Sequence, residues 1–191
     1  MSIVLGIDPG LNGAMCLYGD GVFAIHDMPT FDMQVGKTVR KRVDMLKLAD
    51  LLDGFAVMGV DIAVLEAVGG RPKQGASAAF VLGYSVGLVA MGLMAARIPL
   101  ETVVPQTWKK IMKMPGKKGA ESDKVYSDAI KARGQELFPQ HRDKFEGPRG
   151  GVKLDRVEAA ALAMFAHRHV LGTMRPDPEW RLAYKRADTG A

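Results

Sequence analysis

Ile3-Val4-Leu5-Gly6-Ile7-Asp8-Pro9-Gly10 is the stretch on which the fold turns. Its first five residues form an apolar run of the kind found inside a sheet, and Pro9-Gly10 marks the turn that ends it. If Ile3, Leu5 and Ile7 share one face, Asp8 joins the other with Val4 and Gly6. A carboxylate at the end of a buried strand is costly unless a cation compensates it. A second run, Ile62-Ala63-Val64-Leu65-Glu66, ends in the same way. Asp155 and Glu158 stand three apart at the start of an Ala-rich helical stretch, so they share a face with Cβ atoms ~5–6 Å apart. Two acidic strand ends and an acidic helix face suggest a divalent metal site. Each element also has a plainer reading: a local turn at Asp8, a solvated strand end at Glu66, and a favourable helix dipole for Asp155 and Glu158. Ala159, Ala160, Ala161, Ala163 and Ala166 tip the balance, because they let this helix pack close to the sheet and carry its carboxylates over the strand ends.

Working outward, Ile3–Asp8, Gly13–Tyr18 and Gly21–His26 read as three strands of an antiparallel meander separated by Gly-rich turns. Phe31 to Arg42 is polar and basic and reads as a loop. Val43 to Met58 has helical spacing and stops at Gly59. Asp61–Val68 is a fourth strand, followed by the flexible basic loop Gly69 to Gly75. Gly75 to Ala96 carries no charge and is long enough to span a bilayer. It holds Ser77, Tyr84, Ser85 and four glycines, and the expectation is a helix buried on most sides rather than a membrane span. Within it, Gly83-xxx-Gly87 allows close helix approach, inside the molecule or between two copies. Pro99–Val104 is a fifth strand, Pro105 opens a short helix, and Ser122 caps another that runs to about Leu137. Lys153 to Leu171 is the last helix, and Arg175 to Ala191 reads as a polar tail that Trp180 and Tyr184 could dock. A meander followed by right-handed crossovers implies an α/β fold: a five-stranded mixed sheet, antiparallel meander plus parallel strands, flanked by helices. The expected organisation is one domain over 1–172 and a tail over 173–191.

Composition excludes several function classes. Cys16 is the single cysteine, so neither an intrachain disulfide nor a Cys-rich zinc site exists. Gly36-Lys37-Thr38 fails as a phosphate loop because Phe31 stands where the upstream glycine is needed. An EF-hand reading fails because Gly10 and Gly19 occupy ligand positions. His167 and His169 are two apart on a helix and diverge. The N-terminus enters a strand directly, without a signal-type segment, which fits a cytoplasmic protein. The net charge is +5, and between Pro105 and Lys153 twelve Lys or Arg face six Asp or Glu. A basic stretch beside an acidic cluster suits an enzyme that cuts a polyanion, although a solvated basic surface would look the same.

Ile7-Asp8-Pro9-Gly10, Glu66, Leu82-Gly83-xxx-Gly87 and Asp155-xx-Glu158-Ala159 together resemble the RuvC-type Holliday-junction resolvases of the RNase H-like superfamily. Pro105-xx-Trp108-Lys109 and Leu137-Phe138-Pro139 look like the phage-borne, divergent branch. The match spans roughly residues 3 to 170. The resemblance implies a cytoplasmic homodimer, without a membrane partner, that cuts opposed strands of a four-way DNA junction with two Mg²⁺ ions per active site, Mn²⁺ substituting. Asp8, Glu66, Asp155 and Glu158 would be the catalytic, metal-binding carboxylates, one ion activating a water and the other steadying the leaving 3′ oxygen. The family's usual last position is Asp, so Glu158 is a departure. A second departure is Ala67-Val68-Gly69-Gly70, which lacks the junction-stacking aromatic of bacterial members and puts base-sequence preference in doubt. Arg71 and Lys73 are expected to hold the scissile backbone, and Lys109, Lys110, Lys113, Lys117, Lys118 and Lys124 the junction arms, Lys124 above all. Rival readings are a nuclease of the same fold acting on forks, flaps or RNA–DNA hybrids, and a non-catalytic junction-binding protein.

Overall fold

The computed structural model describes residues 2–69, 75–116, 121–148 and 150–171. Arg71, Lys73, Lys117, Lys118 and the expected tail lie outside the described residues. The chain runs β1 (Ile3–Ile7), β2 (Ala14–Gly19), β3 (Val22–Asp27), β4 (Thr30–Val35), β5 (Thr38–Val43), α1 (Met45–Val57), β6 (Val60–Glu66), α2 (Ala76–Ala95), β7 (Leu100–Val103), α3 (Pro105–Ile111), α4 (Asp123–Leu137), a short 3₁₀ turn (Arg142–Phe145) and α5 (Leu154–Phe165). A π-helical turn, Ala166–Val170, prolongs α5.

The central sheet has the order β3-β2-β1-β6-β7. β1, β2 and β3 pair antiparallel, while β1, β6 and β7 pair parallel. This is the expected mixed five-stranded sheet. Side-chain alternation divides its core in two. Val4, Cys16, Ile62 and Val64 face α3, α4 and α5, packing on Trp108, Ile130, Val157 and the α5 alanines. Leu5, Ile7, Leu17, Ala63 and Leu65 face α1 and α2, packing on Leu48, Leu52, Val89 and Leu93. Local signals start two of the helices. Asp44 accepts a hydrogen bond from the Lys47 N–H at the head of α1, and Ser122 accepts one from Val125 at the head of α4.

Two expectations are corrected. Phe31 to Arg42 is no loop: β4 and β5 form a two-stranded hairpin outside the main sheet, in register from Thr30↔Val43 to Val35↔Thr38. Phe31, Met33 and Val35 form an apolar face of β4, and Phe31 and Met33 line a groove with Phe80 and Tyr84 of α2; Val43 at the hairpin base joins the core, and Gly36 at φ 60° makes the turn. The uncharged segment is a helix, α2, but it is not buried on most sides. Of its twenty residues only Ser85, Val89 and Leu93 are buried. Phe80, Tyr84, Met91 and Met94 are exposed.

Gly6 sets how near α5 lies to the sheet. A Cβ there would run into the backbone of Ala159 and Ala163. The close approach is therefore backbone to backbone and tolerates no side chain. Gly6→Ala is expected to destabilise the protein by ~1–3 kcal/mol or more through overpacking. Gly54 in α1 has open space around the same position, so Gly54→Ala is expected to stabilise it by ~0.5–1 kcal/mol through helix propensity. Urea unfolding midpoints of the two variants check the pair of signs.

Candidate active site

Register brings the two acidic strand ends together. Ile7 pairs with Leu65 across the parallel β1–β6 ladder, so Asp8 and Glu66 leave neighbouring strands at the same level. Both share the parity of Gly6 and Val64, the face covered by α5. α5 begins at Leu154, which puts Asp155 in its first turn and Glu158 one turn further. The four carboxylates of the quartet therefore converge. Asp8 feels the charges of Asp155, Glu158 and Glu66.

The turn reading of Asp8 holds. Its Oδ1 accepts a hydrogen bond from the Gly10 N–H at 3.3 Å, and Gly13 donates to the Gly10 carbonyl at 2.8 Å. A Cβ on Gly13 would collide with the Asp8 carbonyl, so glycine is required to close this loop. The turn aims the carboxylate toward α5.

Electrostatics show how crowded the site is. Burial and then repulsion from Asp155, Glu158 and Glu66 raise the Asp8 pKa to about 7. Burial and Glu158 raise that of Asp155 as well, and the Asp8 side chain hydrogen-bonds to it. Two carboxyl groups in contact share a proton when no cation separates them. Lys109 compensates the other half of the quartet. Its Nζ lies 2.9 Å from Glu158 Oε1 and 3.8 Å from Glu66 Oε1. Burial pulls the Lys109 pKa down, but the charges of Glu158 and Glu66 outweigh it and hold the ammonium on. The Trp108 indole N–H donates to Glu66 Oε1 at 3.1 Å, and the Tyr126 hydroxyl donates to Glu158 Oε1 at 3.2 Å. Burial, followed by Glu158, raises the Tyr126 pKa, so the phenol keeps its proton for that bond.

Lys109 was expected on the junction arms; the structure puts it among the carboxylates. Trp108 and Tyr126 were missed as site residues. The signal for Trp108 was available: a Trp in a Lys-rich helix buries its ring only where the indole N–H finds a partner. Lys110, Lys113 and Lys124 stand exposed on the α3–α4 flank. Lys124 is two residues from Tyr126 and so close to the site in sequence.

Among the described residues, no three His, Cys, Asp or Glu side chains already surround one ion-sized point. The donor chemistry nevertheless fits a hard divalent cation. Four carboxylates supply oxygen ligands. Burial and carboxylate repulsion raise the proton affinity of Asp8 and Asp155, and the Lys109 ammonium is the cation set among the other carboxylates.

The mixed sheet with this carboxylate-bearing helix across its face defines an RNase H-like α/β fold. Within that class the chain has the RuvC-like form. Its fold is similar to RuvC from T. thermophilus in complex with a Holliday junction substrate, with a TM-score of 0.53 and 14% identity, over 93% of this chain and 100% of that one. A second Thermus thermophilus RuvC structure aligns with a TM-score of 0.49 and 17% identity, over 92% of this chain and 99% of that one. No protein-family model matches the sequence, and no curated protein matches it.

Because the folded-state pKa of Asp8 is raised from 3.8 to about 7, its stabilising contribution is complete below 3.8 and lost as pH rises through about 7. In EDTA at about pH 8, Asp8→Asn is therefore expected to melt higher than the wild type, each ~1 kcal/mol giving ~2–4 °C. The difference should shrink as pH falls below 3.8. Circular-dichroism melts across that range check it, and Mn²⁺ should raise the wild-type melting temperature but not that of the variant.

Proposed function

We propose that this chain is a Mg²⁺- or Mn²⁺-dependent, structure-selective endodeoxyribonuclease. It resolves four-way and related branched DNA junctions by phosphodiester hydrolysis, leaving 5′-phosphate and 3′-hydroxyl ends. The convergence of Asp8, Glu66, Asp155 and Glu158 carries this reading. Similarity in fold to a RuvC bound to a Holliday junction supports the choice of substrate.

Asp8, Glu66, Asp155 and Glu158 would hold the ions, which when bound supply an activated water and neutralise charge on the leaving oxygen. Asp8 and Asp155, whose proton affinities are raised, would have to be ionised to hold the ions. Trp108 orients Glu66 by its indole N–H, and Tyr126 orients Glu158. The longer arm of Glu158 lets one carboxylate reach Lys109 and Tyr126 together. Lys109 holds the ionised Glu66 and Glu158 side by side before loading. Lys110, Lys113 and Lys124, with Arg71, Lys73, Lys117 and Lys118, attract the phosphates of the junction arms.

The same reading assigns α2 to the homodimer. Phe80, Gly83, Tyr84, Gly87, Met91 and Met94 fall on one helical stripe opposite buried Ser85, Val89 and Leu93. A Cβ at Gly83 or Gly87 would meet nothing within 4 Å, so this small-xxx-small pattern serves no internal contact among the described residues. An uncharged stripe with two glycines suits close approach of a second copy. By length and composition α2 could cross a membrane. A spanning α2 would leave β6 and β7 on opposite sides of the bilayer, yet they are hydrogen-bonded neighbours.

Asp8→Asn and Glu66→Gln are each expected to lower Mg²⁺-dependent cleavage of a four-way junction by at least about a hundredfold, a loss of ~2.7 kcal/mol in transition-state stabilisation. Gel shifts in EDTA should show junction binding largely intact. Junction, fork, flap and RNA–DNA hybrid substrates cut side by side discriminate the alternatives, with the four-way junction expected to be cut fastest. Phe80→Glu/Met91→Glu should convert the dimer to a monomer in size-exclusion chromatography with light scattering.

A further inference from the structure

The β4–β5 hairpin stands at the catalytic end of the sheet. β3 ends at Asp27 opposite Ala14, beside the loop that carries Asp8. Met28 donates to the Gly13 carbonyl at 2.9 Å, and Asp44 donates to the Pro29 carbonyl at 2.9 Å, which ties the hairpin base to that loop and to the head of α1. From this base the hairpin carries Lys37, Arg40, Lys41 and Arg42 against one acid, Asp32. None of these four cations forms a salt bridge among the described residues. Three cations on the twelve strand residues, with Lys37 in the turn, repel one another and add nothing to the core. Such an arrangement is stabilised by an anion outside the fold.

The site for that anion is a groove of about 460 Å³ between the hairpin and the start of α2. Arg40, Lys41 and Arg42 form one wall. Ser77, Ala78, Val81 and Leu82 of α2 lie on the opposite wall, and Leu11, three residues after Asp8, also lines it. No acidic residue lines it. Arg40 and Arg42 share one face of β5, ~6.8 Å apart along the strand. That is close to the separation of successive phosphates along one DNA strand. Leu11 places the groove beside the loop that carries Asp8. Lys110, Lys113 and Lys124 stand on the α3–α4 flank of the carboxylate cluster.

We infer that the β4–β5 hairpin is a DNA clamp: Arg40 and Arg42 hold the phosphate backbone of a junction arm in the groove beside α2. This rests on the nuclease reading and adds a binding element to it. The partner is a nucleic-acid backbone, read by charge and spacing rather than by base edges. It also offers a substitute for the junction-stacking aromatic that this chain lacks after Glu66: grip through phosphates in place of grip through a base.

The test is fluorescence anisotropy of a labelled four-way junction in EDTA over a range of salt. Arg40→Ala/Arg42→Ala should lower affinity by about tenfold or more at ~0.1 M salt and flatten the slope of log K against log salt by ~2, one unit for each lost phosphate contact. Arg40→Lys/Arg42→Lys should recover most of the affinity and the slope. Lys131→Ala/Arg168→Ala, which removes the same charge elsewhere, should change both far less. Circular-dichroism melts establish that each variant is folded. Affinity and slope unchanged in the alanine variant, while the wild type binds and cuts junctions, would overturn the clamp and leave the nuclease reading standing. An equal loss in the Lys131/Arg168 variant would reduce the effect to net charge and overturn it too. A wild type with no affinity for branched DNA would remove the nuclease reading, and the clamp with it.

Discussion

The contact on which the rest of this molecule depends is the crossing of α5 over β1 at Gly6. Backbone meets backbone there, with Gly6 on the strand and Ala159 and Ala163 on the helix. Dense packing at that point leaves α5 little freedom to slide or lift. A second restraint holds the helix start. Asp27, at the end of β3, takes bonds from Arg156 at 2.7 and 2.9 Å and from Lys153 at 2.7 Å. The hydrogen bond of Arg156, joined by that of Lys153, keeps the Asp27 pKa down at about 2. Arg156 also donates to the Lys144 and Glu146 carbonyls, which ties in the preceding turn. With its middle pinned on Gly6 and its start held by Asp27, α5 presents Asp155 and Glu158 to the ends of β1 and β6.

That placement has an electrostatic cost which the fold only partly offsets. Four carboxylates gathered at one end of a sheet raise the proton affinity of Asp8 and Asp155. Lys109 neutralises part of the charge, and the Trp108 and Tyr126 hydrogen bonds stabilise individual oxygens. What remains is a pair of carboxyl groups, Asp8 and Asp155, whose pKa values burial and carboxylate repulsion both raise. Perturbed groups of this kind cluster where function needs them, because a purely structural site has no reason to hold like charges together. A divalent cation resolves the conflict directly.

Much of this was legible in the sequence because burial on both sheet faces leaves a continuous apolar run, and runs that end in a carboxylate stand out. β1, β6, the meander and the quartet were readable in that way. The hairpin was overlooked although Phe31, Met33 and Val35 alternate with Asp32 and Gln34, because the cations from Lys37 to Arg42 gave the whole segment a polar, charged mean. The exposure of α2 was unreadable for a different reason. An uncharged helix must be covered, but composition does not say whether its own sheet or another molecule covers it. Lys109 looked like its lysine neighbours. Only the tertiary contact with Glu158 distinguishes it, and no spacing rule links residues so far apart in the chain.

The central claim is that the quartet exists to bind hard cations. Anomalous diffraction from crystals grown with Mn²⁺ tests it most directly. Two peaks ~3.5–4 Å apart, ligated by Asp8, Glu66, Asp155 and Glu158, with Lys109 displaced from Glu158, are the expected result. Crystals at saturating Mn²⁺ with no peak among these carboxylates, and Lys109 still bonded to Glu158, would contradict it.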